Sequence, residues 1–189
     1  MKNLIFVFFC FLSVSAFAQK NSLKFAPLQL VAGKIDLTYE RKVGTKTSLL
    51  FNYQRIERTR SSTAQGLVYP VLTAIGGRTV TKSSGTAIDL SLRRYLSAAE
   101  RMNGFYVQGG LRFGNQTDRT RQEGGLFSIW EPKEEPVTTN KSLGGLHLRA
   151  GWQWVTPGGF TLDAGLGGGK YLEQEKGFML LNCKLGYAF

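Results

Sequence analysis

The chain ends in the stretch Met179-Leu180-Leu181-Asn182-Cys183-Lys184-Leu185-Gly186-Tyr187-Ala188-Phe189. Every second residue from Met179 to Phe189 is apolar, and this face ends in two aromatic side chains. The opposite face is small or polar beyond Leu180. Successive side chains of a β-strand point to opposite faces, so this alternation predicts a strand with one apolar face.

The same alternation recurs along the chain. Further runs of roughly ten residues, which is typical of strands, carry an apolar residue at every second position. They cover residues 33–43, 47–58, 84–96, 104–114, 143–155 and 160–171. A weaker run at 22–30 is interrupted by Pro27, which suits an edge strand or a bulge. With that run the number of strands is eight, and single-chain bacterial transmembrane barrels have even numbers.

The predicted connections alternate in length. Short segments at 44–46, 97–103 and 156–159 alternate with longer ones, of which 61–83 and 115–142 are long and polar. The connections near residue 31 and at 172–177 are intermediate. Short periplasmic turns and long external loops alternate in this way in outer-membrane barrels. The sequence therefore predicts an all-β fold, an eight-stranded antiparallel up-and-down transmembrane β-barrel.

Aromatic residues of the apolar faces concentrate near the predicted short turns. Outer-membrane barrels carry such aromatic girdles where the lipid meets water. The residues of this predicted girdle are Tyr39, Phe105, Trp152, Trp154, Phe160, Tyr187 and Phe189.

The opposite strand faces carry charges of both signs. An eight-stranded barrel has an interior just wide enough to be filled by side chains, so we predict that these groups form a lumen network that leaves no open pore. A solvated sheet face is the alternative interpretation of the same residues. The predicted network comprises Asp36, Glu40, Asp89, Arg93, Arg112, His147, Arg149, Asp163 and Lys184.

Residues 1–18 have the pattern of a cleaved signal peptide. Lys2 precedes an apolar run at 4–12 that is too short to span a bilayer as a helix, and Ala16 and Ala18 frame a cleavage site. We therefore expect a signal peptide at 1–18, a barrel domain at 19–189, and export to the outer membrane of a Gram-negative bacterium. Cleavage would leave Cys183 and His147 as the sole cysteine and histidine, so neither an intramolecular disulfide nor a zinc site is expected.

Three short motifs resemble those of a known family. They are Tyr39-Glu40-Arg41, Gly104-Phe105-Tyr106-Val107 and Gly186-Tyr187-Ala188-Phe189. With the signal peptide, they resemble an uncharacterised family of small, eight-stranded bacterial outer-membrane β-barrels, and this resemblance implies no reaction and no cofactor. The strand ending at Phe189 also resembles the C-terminal signal read by the barrel-assembly machinery, except that Lys184 stands where that signal often has glycine.

The chain is strongly basic, with 24 Lys and Arg against 13 Asp and Glu, a formal net charge of +11. An exported chain without a recognition helix is not expected to bind nucleic acid. Basic residues outside the predicted lumen fall at predicted strand tips and loops, where Arg suits the phosphates of lipopolysaccharide; an ordinary solvated surface is the alternative. The candidates are Arg58, Arg60, Arg78, Lys82, Arg119 and Arg121, and Lys141 falls in the second long segment.

Two other functions are compatible with an exported β-protein. A lipid A-modifying enzyme would need His147 beside a nucleophile, but Arg149 stands two residues on, and Ser91 and Ser142 form no recognisable pattern with it. A soluble, lipocalin-like binding protein would turn its apolar faces inward. We therefore expect a monomeric, non-enzymatic structural or binding component of the envelope that contacts lipid and lipopolysaccharide, with the long loops as its contact surface.

Overall fold

The computed structural model describes residues 20–63, 78–97, 102–123, 135–173 and 177–189. The signal peptide predicted at 1–18 lies outside these residues and stays a prediction.

The described residues form nine β-segments and one short helix. Their bounds are β1 (Asn21–Phe25), α1 (Pro27–Val31), β2 (Lys34–Lys42), β3 (Thr47–Thr63), β4 (Arg78–Tyr95), β5 (Gly104–Glu123), β6 (Val137–Ser142), β7 (Gly145–Val155), β8 (Phe160–Tyr171) and β9 (Gly177–Ala188).

All pairings are antiparallel, and the sheet closes on itself. The order runs β4, β3, β2, β1, β9, β8, β7, β5, and β5 pairs back with β4. The segments β6 and β7 lie end to end along β5 in one register, because Asn115 pairs with Ser142 and Arg112 pairs with Gly145. They count as one strand, so the fold is the predicted eight-stranded up-and-down barrel.

The weak run at 22–30 is a strand only in its first part. β1 ends at Phe25, and residues 27–31 form the helix α1 instead of continuing the strand. Proline has no N–H for a sheet ladder, whereas its fixed φ suits the first turn of a helix, where Pro27 stands. The prediction of one strand over 22–30 was therefore wrong beyond Phe25.

Apolar side chains face outward and polar ones inward. Leu37, Phe51 and Phe113 are between 43% and 52% exposed, whereas Glu40 and Asp163 are fully buried. Six of the predicted girdle residues are also exposed at the end of the barrel with the tight turns: Tyr39, Phe105, Trp152, Trp154, Phe160 and Tyr187. This arrangement is the inverse of a soluble β-protein and is that of a transmembrane barrel. It contradicts the lipocalin-like alternative.

Within the described residues, no helix is long and apolar enough to cross a membrane.

The strands at the end opposite the tight turns are longer than predicted. β3 continues to Thr63, β4 begins at Arg78, and β5 continues to Glu123, while β6 occupies 137–142. The described parts of the segments predicted as long loops, 61–83 and 115–142, are therefore mostly strand, and Lys141 lies on β6 rather than in a loop. The remaining connections, 64–77 and most of 124–136, lie outside the described residues. The end of the barrel opposite the tight turns is the one predicted to face the outside of the cell, and we call it the external end.

Candidate functional site

Four charged side chains meet at the centre of the lumen. Lys24 donates to Glu40, and its Nζ lies 3.1 Å from Oδ2 of Asp163. Arg93 pairs with the same two acids, at 2.8 Å from Asp163 and 3.3 Å from Glu40. All four side chains are at most 1% exposed. Lys24 was missed in the sequence because it lies on the weak strand β1, although it alternates with the outward Leu23 and Phe25.

Two tyrosines and a stacked ring complete this cluster. The Tyr95 hydroxyl donates to Glu40 at 2.6 Å, and the Tyr106 hydroxyl donates to Asp163 at 2.7 Å. The Arg93 guanidinium lies 3.7 Å from the centroid of the Tyr106 ring. Each buried carboxylate is therefore held by two cations and a hydroxyl, which satisfies the requirement that buried charges be paired and hydrogen-bonded.

The other predicted lumen residues pair nearby. Arg112 forms two hydrogen bonds with Asp89, of 2.7 and 2.8 Å. Lys184 donates to Asp36 at 2.6 Å. Arg149 is the exception, because no hydrogen bond or ion pair of its guanidinium is found within the described residues, and its Nε is buried without a partner. All nine predicted residues thus line the lumen, and eight of them form hydrogen bonds there.

Apolar clusters seal the lumen at both ends. Near the tight turns the cluster contains Tyr95, Met102, Tyr106, Val155 and Ala188, and toward the external end it contains Ile56, Ala87 and Leu143, packed against Tyr171. Between them, the cavity beside Arg149 measures about 10 Å³, room for about one water molecule. This packing supports the prediction of a lumen network without an open pore.

The enzyme alternative depends on His147, and the structure gives it one partner. The Oγ of Ser91 lies 3.2 Å from Nε2 of His147, so a hydroxyl and an imidazole do meet. However, Nδ1 of His147 is buried without a hydrogen-bond partner, so no third group orients the ring as a catalytic triad requires. Both residues are less than 5% exposed inside the sealed lumen.

In the described part of the chain, no group of three or more His, Cys, Asp or Glu side chains is placed to hold a metal ion.

The six basic candidates lie on strands, and five of them divide between two faces of the external end. Arg58 and Arg60 line the barrel mouth, whereas Lys82, Arg119 and Arg121 are exposed on the outer wall. Arg78 begins β4, and its side chain lies outside the described residues. The prediction placed these residues at strand tips and in loops. The strands are longer than predicted, so Arg60, Lys82 and Arg119 lie within β3, β4 and β5.

Lys82, Arg119 and Arg121 form what we call the outer basic patch. Lys82 stands directly opposite Arg119 in the β4–β5 pairing, and Arg121 lies one row higher. Directly opposed like charges destabilise a sheet. Arg119 lies six residues beyond the outward Phe113 on the same strand, roughly 20 Å along it and less in height because barrel strands tilt. We call the band of outward apolar side chains, which includes Leu37, Phe51 and Phe113, the apolar belt. The patch therefore stands above the apolar belt and faces sideways.

The second face is a cup at the barrel mouth, with a volume of about 620 Å³. Its lining includes Lys34, Arg58, Arg60, Asp118 and Lys141. Lys141 Nζ lies 2.5 Å from Asp118, and Gln116 donates to the same carboxylate at 2.8 Å. Burial opposes ionisation of Asp118, but hydrogen bonds from Lys141, Gln116 and Ser83 outweigh it and lower its pKa to about 2. Asp118 is therefore ionised and neutralises Lys141.

Comparison with known proteins identifies similar barrels but no family. No protein-family model matches the chain, and no curated protein matches it. The chain is similar to Ail, the attachment invasion locus protein of Yersinia pestis, with 12% identity and a TM-score of 0.48, over 89% of this chain and 93% of that one. It is also similar to the N-terminal β-barrel domain of Pseudomonas aeruginosa OprF, with 12% identity and a TM-score of 0.45, over 90% and 98% of the two chains.

A structure of Ail in complex with the heparin analogue sucrose octasulfate aligns with 11% identity and a TM-score of 0.47, over 89% of this chain and 94% of that one. The fold of this chain rests on its own strand register and outward faces, and not on these similarities. Its membership of the uncharacterised family stays a prediction.

Proposed function

We propose that the chain is a non-enzymatic, monomeric component of the bacterial outer membrane that binds the phosphates of lipopolysaccharide through its outer basic patch. The observation that carries this proposal is the direct opposition of Lys82 and Arg119 on the outer wall. Such a pair costs stability unless an anion lies between its members. Arginine and lysine both bind phosphate, and the Arg fork does so through two parallel hydrogen bonds.

The outer-membrane location is supported by the two zones of the outer surface. The first zone is the apolar belt that includes Leu37, Phe51 and Phe113. It ends at the tight turns in the girdle of exposed aromatic residues. In outer-membrane barrels this end faces the periplasm, which would put the outer basic patch on the cell surface. Export through the signal peptide at 1–18 completes this proposal.

Assembly through the C-terminal strand is supported by the seam of the barrel. Phe189 and Asn21 exchange two backbone hydrogen bonds of 2.8 and 2.9 Å next to the β1–β9 pairing. The strand proposed to carry the assembly signal is therefore one that closes the ring. A closed barrel has no free edge within the membrane, so it needs no second chain to satisfy its backbone, consistent with a monomer.

The test compares two double variants of equal charge. Lys82→Gln/Arg119→Gln removes the opposed pair, and Arg41→Gln/Arg94→Gln removes two exposed cations at the opposite end of the barrel. Binding of lipopolysaccharide to the refolded barrel in detergent is measured across a salt series. We expect the first variant to bind more weakly and with a shallower salt dependence, and the second to match the wild type. Equal binding by all three proteins would refute the proposal.

The enzyme alternative is tested in cells. Mass spectra of lipid A are compared between cells with the protein, without it, and with His147→Ala. We expect the same acyl pattern in all three. A change that requires His147 would show that the Ser91–His147 contact is catalytic and would overturn the non-enzymatic part of the proposal.

A further inference from the structure

The cup at the barrel mouth is built from consecutive rows of the sheet. The strand register places Lys34, Ile56, Gly85, Gln116 and Lys141 in one row across β2 to β6. The row above it contains Arg58, Ser83, Asp118 and Thr139, and the next contains Arg60, Thr81, Thr120 and Val137. Because alternate residues of each strand share a face, the cup residues come from strand positions whose spacing the backbone fixes.

The charge of the cup is positive and largely uncompensated. Asp118 is the acid among its lining residues, and it is already paired with Lys141. This leaves Lys34, Arg58 and Arg60, for which no ion pair is found within the described residues. Lys34 stands above the apolar belt. Burial and the nearby Arg112, Arg58 and Arg60 lower its pKa, and the Asp36 carboxylate offsets this only in part. The cations therefore repel one another, and an anion among them would relieve that repulsion.

The cup has the size of a small-molecule site and a closed floor. Its volume of about 620 Å³ falls within the range of roughly 300–1,000 Å³ found for ligand pockets. Ile56 belongs both to the cup and to the apolar cluster that seals the lumen. A ligand entering the cup therefore meets a floor, and the cup is a receptacle and not the vestibule of a channel.

The direction of the cup decides where its ligand comes from. Arg58 and Arg60 line the barrel mouth, whereas the outer basic patch faces sideways over the lipid. Phosphates on lipopolysaccharide of the same membrane lie outside the barrel wall, on the side of Lys82 and Arg119. We infer that the cup binds a soluble, multiply phosphorylated small molecule from the medium, at a site separate from the one proposed for lipopolysaccharide.

Inositol hexakisphosphate is a suitable probe, because it is compact and carries several phosphates. The full barrel, refolded in a zwitterionic detergent without lipopolysaccharide, is titrated with it by calorimetry. Arg58→Gln/Arg60→Gln is the test variant, and Arg41→Gln/Arg94→Gln loses the same charge from the opposite end of the barrel. Heat-modifiable migration on a gel shows that each variant has folded.

We expect the Arg58/Arg60 variant to lose at least about tenfold in affinity, since one hydrogen bond to a charged group commonly accounts for that much. The Arg41/Arg94 variant should bind the probe as the wild type does. Equal losses in both variants would show a general positive field instead of a site, and no binding by the wild type would also overturn the inference. Binding of lipopolysaccharide should fall in the Lys82→Gln/Arg119→Gln variant and stay unchanged in the Arg58→Gln/Arg60→Gln variant, so failure of the outer patch and failure of the cup give different results.

Discussion

Removal of Arg112 should destabilise the barrel far more than removal of Lys141, although each belongs to one ion pair. Arg112 holds Asp89 by two hydrogen bonds of 2.7 and 2.8 Å, and both side chains are at most 10% exposed. Arg112→Ala leaves the Asp89 carboxylate buried without its cation, and breaking such a pair costs about 3–5 kcal/mol. Lys141 is 43% exposed, so Lys141→Ala should cost only about 0.2–1 kcal/mol, as surface pairs do.

The assay is urea unfolding of the barrel in phospholipid vesicles, followed by the fluorescence of Trp152 and Trp154. A difference of about 3 kcal/mol corresponds to roughly a hundredfold change in the unfolding equilibrium, which the titration resolves easily. The double variant Arg112→Ala/Asp89→Ala should recover part of the loss, because it removes the unpaired carboxylate as well. A loss for Arg112→Ala no larger than that for Lys141→Ala, or no recovery in the double variant, would refute the assignment of a buried ion pair.

Three further outcomes follow from the same geometry. Gly165→Val should destabilise by about 1–3 kcal/mol in the urea assay, because a Cβ there would lie 2.6 Å from the Tyr106 hydroxyl, whereas Gly158→Ala, with nothing within 4 Å, should be neutral. Asp118 has a lowered pKa, so its stabilising effect is present above its ordinary pKa of 3.8 and lost as the pH falls through about 2; Lys141→Ala should raise that pKa, as read from the carboxyl carbon by NMR. Planar bilayers at neutral pH should show no steady conductance, and a stable open level would contradict the two apolar seals.

Residue alternation, together with the alternating lengths of the connections, predicted the barrel itself. Each strand that crosses the apolar belt has one face that must meet lipid. Apolar residues such as Leu37 and Phe51 therefore recur at every second position of these strands. The same rule identified the lumen side chains, because a residue between two outward apolar neighbours has to point inward. The alternation alone therefore places Asp36, Glu40 and Asp163 in the lumen, and in the structure all three side chains are buried.

The external extensions of the strands could not be predicted in the same way. Above the belt both faces of β3, β4 and β5 meet water, so Thr59, Lys82 and Arg119 show no contrast between apolar and polar positions. The remaining signal was the high content of threonine, which favours strands through its branched Cβ but is weaker than a periodic pattern. The division of the basic residues into cup and outer patch depends on the register of these strand extensions, which the sequence pattern does not reveal.

Lys24 illustrates a different limit of the sequence. Its strand has only five residues and ends before Pro27, so the alternation around it is too short to carry much weight. Its importance comes from register, which places it between Glu40 on β2 and Asp163 on β8. Pairings over such separations in the chain depend on barrel closure, and local sequence does not encode that information.

The central lumen cluster also explains how a small barrel can hold its external end in a fixed shape. Backbone hydrogen bonds connect only neighbouring strands, which by themselves allow the ring to flatten. Arg93 on β4 pairs with Asp163 on β8, and these strands are separated by β3, β2, β1 and β9 in one direction and by β5 and β7 in the other. An ion pair across the lumen ties opposite walls together and fixes the width of the ring. Since β4 continues from Arg93 to the external rows that hold Lys82 and Ser83, that width also sets the spacing of the cations around the cup.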